Sequence, residues 1–126
     1  MGYITASGRA SEDSGWYVIN KSRVAAAPGN NVRNGAYYLG RPWRNYARVV
    51  FQKTDLSKVI NSAGWSIWNT GDERTDHAYF AENGNTGAGA TGTRASFSKK
   101  IASPVAIKTV LGDGYASAKY VDAKFL

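Results

Sequence analysis

YYLGRPWRNYARVVF, Tyr37 to Phe51, sets two unbroken apolar runs, Tyr37-Tyr38-Leu39 and Val49-Val50-Phe51, on either side of a proline flanked by Arg41 and Trp43. A half-exposed antiparallel strand alternates apolar with polar residues. A run that is apolar at every position suits a parallel strand covered on both faces. Pro42 has no N–H to give to a sheet ladder and belongs at a strand end or edge, so the first strand stops there. Arg41 and Trp43 are then expected where the chain runs out toward solvent, a position suited to binding.

Outward from this segment, further short stretches rich in β-branched and aromatic residues recur: GYITA, GWYVIN, GWSIW, HAYFAE and PVAIKTV. Gly, Asn, Ser and Asp separate them, with turn signals at Pro28-Gly29-Asn30-Asn31, Asn34-Gly35 and Asp113-Gly114. The chain is therefore expected to be all-β. The step from Tyr17-Val18-Ile19 to Tyr37-Tyr38-Leu39 lies within the range of solenoid repeats. A stacked β-solenoid and a β-sandwich both fit this pattern. One helix is expected near the C-terminus, where Phe97, Ile101 and Ala102 share a face before Pro104 ends it. The final YASAKYVDAKFL has apolar residues at both spacings and stays unassigned. No stretch reads as a linker, so residues 1–126 are expected to form a single domain.

The 126 residues carry 16 Lys and Arg against 9 Asp and Glu, a net charge of +7, which admits an acidic polysaccharide, nucleic acid or a membrane surface as partner. Lys99-Lys100 is the only adjacent basic pair, whereas nucleic-acid binders concentrate their charge, so no nucleic-acid partner is expected. There is no cysteine, which excludes a disulfide framework and a thiolate metal site. No apolar run is long enough for a membrane span, and no charged-then-apolar leader opens the chain. Met1 before GYITASGR reads as a start placed on an internal segment. Asn20-Lys21-Ser22 is a sequon, an acceptor only in a secretory host.

Three constellations compete for a functional role. Gly87-Ala88-Gly89-Ala90-Thr91-Gly92 matches a dinucleotide fingerprint, but Thr93-Arg94-Ala95-Ser96 opens no apolar helical stripe, so a glycine-rich surface loop is expected. His77 is the only histidine, with Asp72, Glu73 and Asp76 beside it. The mixed charge of TGDERTDH favours a solvated loop over a metal site, and no G-x-S-x-G elbow offers His77 a nucleophilic serine. The third is Arg41 and Trp43 with the downstream Trp65 and Trp68. Aromatic rings can stack on sugar rings while arginine binds carboxylates. Of these rings Trp43 is expected to be exposed and Trp68 to be core, with Trp65 open between the two.

TASGR (Thr5 to Arg9), DSGWYVIN (Asp13 to Asn20), YYLGRPWRNYARVVFQ (Tyr37 to Gln52), VINSAGWSIWNT (Val59 to Thr70) and FAENGNTGAGATGTRASFS (Phe80 to Ser98) follow in order. Together they resemble the C-terminal part of a pectin methylesterase (pectinesterase) of the fungal type, in which LGRPW is a signature. The resemblance implies a right-handed single-stranded parallel β-helix, truncated, ending in a short helical or irregular segment. It also implies secretion and a substrate of partly methyl-esterified polygalacturonate, with no metal or organic cofactor. In the family one aspartate attacks the ester carbonyl, a second serves as general acid and base, glutamines stabilise the oxyanion, and the LGRPW arginine holds the nucleophile. Arg41 matches that arginine, a catalytic position. Trp43 and Trp65 match tryptophans lining the sugar subsites.

The family's catalytic aspartates and glutamines lie upstream of the matched segments, and this chain has no DFIFG-like motif. Asp13 matches a later family segment and is not the nucleophile. The chain is therefore expected to be a fragment or engineered derivative that is inactive alone. Other readings are a module that binds acidic polysaccharide such as pectin, or a minimal structural solenoid. A cut solenoid exposes a coil end, so self-association or a missing N-terminal half is an expected partner. At about 20–25 residues per coil, roughly four or five turns are expected. Asn83 stands where the family commonly has an aromatic residue.

Overall fold

The computed structural model describes residues 1–126. Eight short strands carry the fold: β1 (Gly2–Thr5), β2 (Tyr17–Asn20), β3 (Arg23–Val24), β4 (Tyr37–Gly40), β5 (Arg48–Gln52), β6 (Asp55–Leu56), β7 (Tyr79–Asn83) and β8 (Ser98–Lys100). They form three separate parallel sheets, ordered β1-β4, β2-β5-β7-β8 and β3-β6. Isolated parallel bridges carry the first sheet on to Ile60 and Trp65 and the third to Thr86. Each coil thus visits all three faces before stacking on the last. The chain winds as a right-handed parallel β-helix, the hand that parallel crossovers almost always take.

The coil is longer than the strand spacing suggested. Tyr17 pairs with Val49 and Val49 with Phe80, 32 and 31 residues further on, and Phe80 with Ser98 only 18 on. Tyr17-Val18-Ile19 and Tyr37-Tyr38-Leu39 lie in different sheets, so their separation is no repeat. The chain makes three coils and a short final return. It does not make four or five.

Unbroken apolar runs do belong to strands covered on both faces. In β5, Val49 and Phe51 point into the core with Leu39, Leu56, Ile60, Trp65 and Phe80. Val50, buried on the opposite face, pairs with Val18 and Ala81. Beside it runs an amide row, Asn20, Gln52 and Asn83, in register from coil to coil. These amides hold the C-terminal tail across the sheet. Asn83 Nδ2 donates to the Ile101 carbonyl at 2.7 Å, and Gln52 bonds Val105 in both directions at 2.8 and 3.1 Å. The short helix α1 (Ile107–Leu111) then lines one cleft with Val18 and Asn20. The amide of Asn83 therefore serves to fasten the tail.

The helix expected around Phe97–Ala102 is absent. Ser98–Lys100 pairs with Phe80–Glu82 as β8, because the open edge of β7 offers a ladder that a single helical turn cannot match. The glycines of GAGATG bring the third coil down onto the second. A Cβ at Gly87 or Gly89 would collide with the carbonyls of Leu56 or Ser57, and one at Gly92 would stand 2.9 Å from that of Ser62.

A buried ion pair closes the core below β7. Glu82, in register with Phe51, receives Arg94 Nε at 2.8 Å and Nη2 at 3.0 Å, and Trp65 Nε1–H at 3.2 Å. Its side chain is 7% exposed and that of Arg94 10%. Cutting Glu82 to alanine would leave a buried guanidinium without its counter-charge. The Glu82→Ala variant is expected to lose about 3–5 kcal/mol in urea unfolding. Glu82→Gln, which can still accept from Trp65, is expected to lose less.

Candidate functional site

Strand β4 ends at Gly40, and the next residue leaves the sheet with its N–H still donated to the Thr5 carbonyl at 3.2 Å. Pro42 is buried, so the turn is anchored from below while Arg41 and Trp43 project from it. The Arg41 guanidinium lies between two rings. Its Cζ is 4.1 Å from the Tyr3 centroid and 4.2 Å from that of Trp68. Arg41 Nε is shut off from solvent and has no hydrogen-bond partner. No carboxylate of the chain forms a salt bridge with this arginine.

Trp43 is 49% exposed and lies over Gly8, where a Cβ would come within 2.7 Å of its ring. Its carbonyl accepts from Arg74 Nη1, which fixes the backbone behind the ring. Trp43 forms one wall of an open cleft of about 410 Å³, lined also by Ser7, Arg9, Asp13, Trp16 and Arg48. Trp65 is elsewhere. It is 1% exposed, stacked on Phe80 at 4.5 Å and edge-on to Phe51, directly beneath Gly40. No face of its ring is open to a sugar, because the site's own sheet covers it, and the expected direct contact is corrected to a supporting one. Trp68, expected in the core, is only half-buried and carries Arg41 on one face.

Sequence reasoning left Tyr3 and Arg74 out of the site, and weighed Trp68 for it but favoured the core. The W-x-x-W spacing and the arginine nine residues after Gly64-Trp65 are visible in the chain, but their convergence on Arg41 depends on coil stacking. It also passed over the clasp beside the cleft. Arg9 donates to Asp13 Oδ1 at 2.9 Å and to the Asp13 carbonyl at 2.6 Å, while Arg48 donates to the carbonyls of Gly15 and Asp13 with its guanidinium 3.8 Å from the Trp16 centroid. Bonding to the Gly15 N–H, and then to Arg9, holds the Asp13 carboxyl below its ordinary 3.8. Burial, and then the charge of Arg9, pushes Arg48 down. His77 lies flat on Tyr46, centroids 4.5 Å apart, while Asp72 pairs with Arg74 and Glu73 accepts from the Gly71 N–H.

Residues 1–123 match the family model described as pectinesterase. The chain belongs to the pectinesterase family. It is 53% identical over 123 residues to a pectinesterase of Aspergillus aculeatus, covering 97% of this chain and 37% of that protein. The pectin methylesterase of Aspergillus niger, solved in a penultimately deglycosylated form, superposes with a TM-score of 0.84 at 37% identity, over 98% of this chain and 39% of that one. The carrot pectin methylesterase superposes with a TM-score of 0.69 at 37% identity, over 80% of this chain and 33% of that one. The chain therefore spans a little over a third of the length of these pectinesterases. No helix in it is long and apolar enough to cross a membrane.

Within this pectinesterase segment the site offers a guanidinium that pairs with no carboxylate of the chain and an exposed indole, groups chemically suited to an anion and to an apolar ring face. The Asp13 clasp carries a sign that can be tested. A carboxyl with a lowered folded-state pKa stabilises the fold above its unfolded value and stops doing so as pH falls through the folded one. The stability difference between the native chain and Asp13→Asn is expected to hold from neutral pH down to about 5, then shrink and vanish as the medium is acidified, read by urea unfolding at successive pH values.

Proposed function

We propose that this chain is the Arg41- and Trp43-bearing part of a pectinesterase site for methyl-esterified polygalacturonate, and that alone it does not remove the methyl ester. The observation that carries the reading is the Arg41 guanidinium beside the β4 turn, which no carboxylate of the chain pairs with. A guanidinium whose donors are spent on no group of its own chain is ready to take a carboxylate from another. By the family resemblance that group is the nucleophilic aspartate, a carboxylate that a planar guanidinium keeps ionised and aimed. The residues given to the catalytic aspartates and glutamines match no positions here. Residues 1–126 then act as one domain of C-terminal coils, working with the upstream part of a secreted, extracellular esterase, and Trp43 stacks on a sugar ring while Trp65 supports the platform from below. Neither a metal nor an organic cofactor enters this chemistry.

A methanol-release assay on methylated pectin tests the reading. The isolated chain is expected to turn over at least about a thousandfold more slowly than an intact pectinesterase, since the nucleophile and acid are both missing. A rate approaching the intact enzyme's would overturn it.

A second reading is favoured by the net charge of +7 together with the half-exposed Trp43: a module that holds acidic polysaccharide without cleaving it. Retention on immobilised polygalacturonate is then expected to fall with added salt, and about tenfold in affinity for Trp43→Ala. Retention indifferent to both changes removes this reading and leaves Trp43 a surface ring.

A further inference from the structure

We propose that Trp68 is the positioning residue for Arg41: together with Tyr3 it fixes the plane of the guanidinium so that only an edge is open to a carboxylate. The inference rests on the reading of Arg41 as a carboxylate-holding group. All five N–H donors of a guanidinium lie in its plane. Rings at 4.1 and 4.2 Å, from the coils before and after that of Arg41, pack on the group without taking any of those donors. Since Nε is closed off from solvent, the accessible donors are those of the terminal amino groups, which form a fork for two parallel N–H···O bonds. An anion can then approach in one plane and from one side.

The comparison that favours this role over simple packing comes from the other half-buried arginines. Arg94 gives its donors to Glu82 and to backbone carbonyls, and Arg9, Arg48 and Arg74 each bind a carboxylate, a carbonyl or both. Each is held by hydrogen bonds and has them spent. Arg41 is held by rings, which restrain the group without using a single N–H. The two rings come from different coils, Tyr3 on β1 and Trp68 in the loop after the third passage of that sheet, with Arg41 on the coil between.

Each ring has a further neighbour. Tyr3 stacks on Tyr38 at 5.6 Å and 16°. The guanidinium of Arg74 lies 5.0 Å from the Trp68 centroid, held by Asp72 Oδ2 at 2.8 Å. Arg74 also donates to the Trp43 carbonyl, so one side chain locks the clamp ring and the sugar-platform turn together. It does so from a left-handed backbone, φ 60°, uncommon outside glycine and kept only where the surroundings over-determine it.

The test is proton–nitrogen NMR of the arginine Nε–H groups in the isolated chain, with acetate as the aspartate side-chain probe and trigalacturonate as the substrate-carboxylate probe. The Arg41 signal, identified by its loss in Arg41→Lys, is expected to be displaced by ring currents from the other arginine signals and slow to exchange with water. It should return toward them in Trp68→Leu and stay displaced in Trp68→Phe. Titration with acetate is expected to move the signal, with affinity about tenfold weaker in Trp68→Leu and restored in Trp68→Phe. Should Trp68→Leu fail to fold, Tyr3→Leu opens the opposite face and is expected to give the same loss. A signal that ignores these substitutions, or an affinity that does, overturns the positioning role. A displaced signal sensitive to Trp68 that responds to neither probe keeps the clamp and defeats the carboxylate reading. Response to trigalacturonate without acetate assigns the fork to the sugar's own carboxylates.

Discussion

Val49 stands between Tyr17 and Phe80, Phe51 between Ile19 and Glu82, and Gln52 between Asn20 and Asn83. In-register stacking of parallel coils is the constraint from which the other features follow. A strand of four or five residues has no sheet of its own to fold on, so its inward side chains are buried only when the next coil lies directly over them. That requirement sets where glycine is needed, since the loop at Gly87–Gly92 comes down onto the carbonyls of the coil before it. It also explains the polar groups inside. Once the apolar row reaches β7, Glu82 occupies the line of Phe51, and its charge is matched by Arg94 and by the indole N–H of Trp65.

The same stacking builds the site. Tyr3, Arg41 and Trp68 are far apart along the chain, yet they meet because each lies on a successive passage of one sheet. The core and the site share this sheet, with Trp65 beneath Gly40 and Arg41 immediately beyond it. Rigidity of the inner layer is thereby passed to the outer one, as a preorganised anion site requires. Charge is distributed on the same principle. Arginines near the core are bound to carbonyls and carboxylates, and the guanidinium that projects from the β4 turn keeps its donors unspent.

Two expectations failed for reasons that belong to this architecture. The spacing between Tyr17-Val18-Ile19 and Tyr37-Tyr38-Leu39 looked like a repeat because all strands of a solenoid have similar composition, whichever face they occupy. Only pairing partners separate a step around one coil from a step to the next. The helical reading of Phe97–Ala102 failed because local periodicity in six residues is weaker than a waiting strand edge. Trp65, which the sequence left open between surface and core, is taken inside by Phe51 and Phe80.

Local chemistry was enough to establish the β class, the strand end at Pro42 and the exposure of Trp43, since each depends on a residue and its immediate neighbours. The covered parallel strand was legible in Val49-Val50-Phe51 for the same reason. Which tryptophan stands exposed, which lies beneath the sheet and which packs on the guanidinium was decided by folding alone. The three indoles are chemically identical, and they differ only in what distant parts of the chain place against each ring.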